Sequence, residues 1–141
     1  MRNGWLLTGG ILSALAALAH LLCIIGGPNW YRFFGAGEGM ARLAERGSLT
    51  PVLITVTIAG MLAVWSLYAR SGSGYIDRLP LLRPVLLAIA AVYLLRAAAL
   101  PIMLKTMADR GTTFLIISSI IVLVYGLIHA IGLYRGWNDL G

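Results

Sequence analysis

Residues 85–104 read VLLAIAAVYLLRAAALPIML, twenty positions with a single charge, Arg96. A helix rises ~1.5 Å per residue, so a stretch of this length matches the ~30 Å hydrocarbon core of a bilayer. Three other stretches repeat the pattern. Residues 5–25 are WLLTGGILSALAALAHLLCII, residues 51–69 are PVLITVTIAGMLAVWSLYA, and residues 114–134 are FLIISSIIVLVYGLIHAIGLY. Leu and Ala dominate, and nothing alternates with period two, so the segments read as helices rather than strands of an outer-membrane barrel. In lipid a backbone must bond to itself, which a helix does alone.

Composition agrees. Of 141 residues, 60% are hydrophobic and 11% charged, against about 25% charged in ordinary soluble domains. That balance argues against a soluble globule, a disordered tail and, with one cysteine, a disulfide scaffold. The expected fold is an all-α membrane protein, an antiparallel four-helix transmembrane bundle forming a single domain over 1–141. A short interfacial helix is expected at about 36–46 in the first long loop. There Met40 and Leu43 share a face, and Glu38 and Arg42 form an i, i+4 pair. Small residues at 14–19 resemble a signal-peptide cleavage site, but the apolar run continues to Ile25, and the segment is read as a retained span. Pro28-Asn29 reads as a turn. Thr50-Pro51 reads as an N-cap with proline following, and Thr112 or Thr113 as the cap of the last helix.

Four spans put both termini on one side, together with the connection 70–84. Lys and Arg divide evenly: Arg2, Arg70, Arg78, Arg83 and Arg135 on that side, Arg32, Arg42, Arg46, Lys105 and Arg110 on the other. The first set abuts helix ends and is joined by the amino terminus, which favours cytoplasmic termini in a bacterial-type inner membrane.

Polar residues within the spans define the candidate interior. Gly9, Ser13, Ala16, His20 and Cys23 form one stripe. Ser118, Val122, Tyr125 and His129 form another, Thr55, Ala59 and Ser66 a third, and Tyr93 and Arg96 lie one turn apart. Lipid offers such groups no partner, so they should face neighbouring helices. Arg96 stands out, because a central arginine costs ~2.5–3.5 kcal/mol to insert and no span contains an Asp or Glu. Pro101, five residues on, should kink the helix near Ala97. Arg96, His20, Tyr93, Thr55 and Ser118 are therefore expected to line one polar pocket, with Thr57 and Ser119 at a similar level and Glu38 or Glu45 reaching Arg96 from the loop. His20 and His129 differ in depth by roughly 15 Å and cannot share one metal or one haem. His20 and Cys23 alone make a weak metal signal. No metal, cofactor or nucleic acid is expected.

The expected function is binding of a membrane lipid or a small anionic or amphipathic ligand, or service as an accessory subunit or homo-oligomer. Two rivals are an oligomeric transporter or channel, and a membrane enzyme acting on a lipid-like substrate. The lack of acid–base pairs in the spans weighs against catalysis.

Overall fold

The computed structural model describes residues 2–141 and contains helices and connections, with no strand among the described residues. The long helices are α1 (Gly4–Gly26), α4 (Thr50–Gly72), α5 (Leu82–Ala98) and α7 (Thr112–Leu140). The shorter ones are α2 (Pro28–Phe33), α3 (Glu38–Glu45) and α6 (Leu100–Thr106), and a 3-10 turn, Ala108–Arg110, precedes α7. Three helices are long and apolar enough to cross a membrane. α5 and α6 make a fourth if taken as one broken span, bent by 51°. Over the most apolar stretches of α1, α4 and α7 only 28%, 28% and 22% of residues are buried, so the apolar surface points outward.

The bend falls where Pro101 dictates. Proline has no N–H to return to the Ala97 carbonyl, and the chain restarts as α6 with Pro101 in its first turn. The helix starts differ from expectation. Thr50 is the first residue of α4 rather than its cap; Leu49 takes the cap position, and Ser48 Oγ accepts from Thr50 N–H at 3.2 Å. Gly111, at φ 80°, precedes α7, and neither Thr112 nor Thr113 caps it. Asn3 caps α1 by accepting from Leu6 N–H at 3.2 Å. Pro28 opens the six-residue α2 rather than a turn, since proline at a first helical position is preorganised for helix. The expected helix at 36–46 is present as α3.

Small residues set the helix contacts, as expected where lipid is as apolar as the side chains. α1 packs along α4, where Ser66 Oγ donates to the Gly10 carbonyl at 2.7 Å. α5 packs along α7, where a Cβ on Gly126 would lie 2.7 Å from Leu94 Cδ2. α7 also crosses α1, fastened by Asn3 Nδ2 donating to the Gly132 carbonyl at 2.7 Å. Leu6, Leu86 and Ile89 fill the gap among these helices and are almost fully buried. At the opposite end, Gly35 (φ 70°) and Gly37 (φ 97°) let the first loop press on the start of α7. A Cβ at Gly35 would meet the Phe114 ring at 2.1 Å, and one at Gly37 would meet Asp109 Oδ2 at 2.7 Å.

Candidate functional site

The interior polar residues fall into two clusters instead of one pocket. The first is central and closed. Ser13 Oγ and Tyr93 Oη are 2.8 Å apart, joining α1 to α5. Around the Tyr93 ring stand Trp65 (centroids 5.0 Å, edge-on), Tyr125 (5.6 Å, edge-on) and His129 (5.2 Å, tilted). Such offset and edge contacts match the quadrupoles of the rings. Ser13, Tyr93 and His129 are all buried. His129 Nδ1 lies 2.8 Å from the Tyr125 carbonyl, one turn earlier on the same helix. A carbonyl only accepts, so Nδ1 carries a proton and donates to it. Nε2 is buried without a partner. It rests against Gly9, where a Cβ would be 2.9 Å from it and 2.8 Å from Cε1.

The second cluster lies between α5 and α7, just before the bend. Arg96 Nη1 donates to Ser119 Oγ at 3.1 Å, and Nη2 donates to Ser118 Oγ at 3.3 Å. Ser118 Oγ in turn donates to the Leu115 carbonyl at 3.2 Å. Arg96 is half-buried, and Ser119 is buried beneath it. Both partners are neutral, and among the described residues no carboxylate forms an ion pair with this guanidinium. A guanidinium carries five N–H donors, so three remain for another acceptor. Arg110 is near enough to add a like charge.

The remaining expected site residues have partners of their own. Thr55 Oγ1 donates to the Pro51 carbonyl at 2.7 Å, within α4. His20 Nδ1 donates to the Ala16 carbonyl at 2.7 Å, within α1. Tyr93 belongs to the closed cluster. Glu38 does not reach Arg96: it takes two hydrogen bonds of 2.9 Å from Arg32 and lies 3.4 Å from Arg42 Nε. Glu45 is likewise held by Arg32, at 2.7 Å. The Arg32 hydrogen bonds hold the Glu38 carboxyl below its ordinary range, and Glu38, then Glu45, raise Arg32. Of the residues expected at that level, only Arg96, Ser118 and Ser119 come together.

Two open hollows are formed elsewhere on the surface. One is lined by Asn29, Trp30, Phe33 and Phe34, the other by the 78–84 connection with Leu140 and Gly141. Among the described residues, no three His, Cys, Asp or Glu side chains are grouped to hold a metal.

Comparison with known proteins finds no match to this chain, whether to a protein-family model, a curated protein or a solved structure.

Proposed function

We propose that the chain is a multi-pass membrane protein that binds an anionic amphiphile, such as the headgroup of an acidic lipid, at Arg96. Its spans α1, α4, α5–α6 and α7 form an antiparallel four-helix bundle, with α3 lying along the membrane surface through its exposed Leu43 side. The termini face the cytoplasm of a bacterial-type inner membrane. Binding does not require chemistry on the ligand, and the Arg96 cluster contains no acid–base pair.

One observation carries this reading: a guanidinium within an apolar helix whose side-chain partners, among the described residues, are two neutral hydroxyls. The hydroxyls fix its plane but leave its charge uncompensated. A phosphate or carboxylate arriving from the open side would accept from the free N–H groups in a fork geometry. Arg96 is half-buried, so part of the guanidinium remains within reach of such a group.

The test is native mass spectrometry of the gently extracted full chain. The wild type should carry an acidic lipid, Arg96→Gln should lose it, and Arg96→Lys, which keeps the charge without the fork, should retain part. Equal lipid on wild type and Arg96→Gln would overturn the reading. A partner chain on Arg96, with no lipid, would replace it with the accessory-subunit role.

A further inference from the structure

The opposite end of the molecule carries an arrangement that the Arg96 site does not use. Each span contributes one arginine there: Arg2 just ahead of α1, Arg70 in the last turn of α4, Arg83 in the first turn of α5 and Arg135 near the end of α7. Three of them lie over aromatic rings of a neighbouring element. Arg2 is 4.9 Å from the Tyr75 ring centre, Arg83 is 4.6 Å from that of Trp137, and Arg135 is 5.9 Å from that of Trp5. These contacts run from α1 to the α4–α5 connection, from α5 to α7, and from α7 back to α1. Asn3 N–H donates to the Ser73 carbonyl at 3.0 Å and closes the same rim.

Among the described residues no carboxylate pairs with these arginines: Asp77 and Asp139 share this end without an ion pair there, and the three salt bridges all belong to Arg32 and Arg42 at the far end. Arg83 Nη2 donates to the Trp137 carbonyl at 2.7 Å, and Arg78 Nη2 donates to the Leu140 and Gly141 carbonyls, so two arginines also serve as braces. Arg2 and Arg135 are exposed, and among the described residues neither guanidinium has a hydrogen-bond partner. A guanidinium stacked on a ring is oriented by the ring face and keeps its N–H edge free. Exposed Trp and Tyr at span ends sit at headgroup depth, so that edge is presented where lipid phosphates lie.

We infer that this rim is a collar for acidic phospholipid headgroups, with the phosphates accepting from the free edges of Arg2 and Arg135, and that this end of the protein seats in the more anionic leaflet. The collar is independent of the Arg96 site. Removing one arginine near a lipid surface should weaken retention roughly fivefold.

The experiment uses the full chain in vesicles of equal phosphatidylglycerol and phosphatidylcholine, gently extracted and weighed by native mass spectrometry. Wild type should retain phosphatidylglycerol in excess, and Arg2→Gln/Arg135→Gln should reduce that excess roughly fivefold per arginine. Arg96→Gln should keep the collar's excess while losing only the lipid of its own site, so the two readings fail separately. If Arg2→Gln/Arg135→Gln does not fold, as judged by circular dichroism, the Arg96→Gln protein is titrated with salt. The excess should fall as salt rises, because the collar's contacts are exposed and screened. Unchanged excess in the double variant, salt-independent excess in Arg96→Gln, or equal retention of the two lipids would overturn the collar.

Discussion

The two polar clusters within the spans solve the same problem in opposite ways. Around Tyr93, a hydroxyl, rings and a histidine pack against one another, and the one leftover group, His129 Nε2, rests against Gly9. Around Arg96, two serines orient a charge and leave most of its donors open. Closed polar groups specify how helices meet. Open ones leave a demand that a guest can meet. The position of a polar residue within a span does not distinguish these uses; the hydrogen-bond inventory does.

The difference predicts opposite responses to crowding and to charge removal. Gly9→Leu drives a side chain into the His129 ring and should destabilise the protein by about 3 kcal/mol. Thermal unfolding in detergent, followed by circular dichroism, checks this. Arg96→Met, in the same lipid-free detergent, should leave stability unchanged or raise it, because a half-buried charge in an apolar helix without an acidic companion is expensive. A large loss in Arg96→Met would make the open cluster structural and erase the contrast.

Adding acidic lipid should invert that order. At a hundredfold excess over the dissociation constant, a ligand that binds only the folded state stabilises it by about 2.7 kcal/mol. Wild type should show this gain on titration with phosphatidylglycerol, and Arg96→Gln should show none at its site once the collar's salt-sensitive share is screened out. Ser119→Ala should fall between them, since the guanidinium loses one orienting hydroxyl.

The long apolar helices were legible from sequence because hydropathy and length suffice for a candidate span, and the break in the third because Pro101 acts through its missing N–H, independent of context. The interior faces were legible too: Ser13, Thr55, Ala59, Ser66 and His129 are all buried where their stripes put them. The partners were not. Thr55, His20 and His129 each bond to a carbonyl one turn back on their own helix, an option open to any such residue in any helix. Depth and face therefore cannot tell a pocket residue from one that has satisfied itself. α7 runs on to Leu140 because no proline or glycine stop ends it where the apolar run does; Gly136 stays helical and buried, a would-be Cβ meeting Asn3 Nδ2 at 2.8 Å.

A smaller effect probes the closed cluster from within. Tyr93→Phe keeps the ring contacts to Trp65, Tyr125 and His129 but leaves Ser13 without its partner. The loss should be about 1 kcal/mol, the net value of one hydrogen bond. Ser13→Ala in the Tyr93→Phe background should then add almost nothing, because the pair is already broken. An additive double variant would mean that Ser13 and Tyr93 act separately.

The smallest effect concerns Glu38, which the sequence placed beside Arg96 and the structure places on Arg32. Its carboxyl is held below the ordinary carboxylate range by the Arg32 hydrogen bonds. A depressed carboxyl stabilises the folded state above its unfolded pKa, and that contribution is lost as pH falls through the folded value. Acidification through and below the usual carboxylate range should therefore loosen the α2–α3 pairing. Faster amide exchange across Pro28–Phe33 and Glu38–Glu45 would report it, with α1 and α4 undisturbed. Glu38→Gln should remove most of that pH step and leave the Arg96-dependent lipid gain intact. If Glu38→Gln instead abolished the lipid gain, the loop carboxylate would belong to the open cluster after all, and the division between the Tyr93 and Arg96 clusters would have to be redrawn.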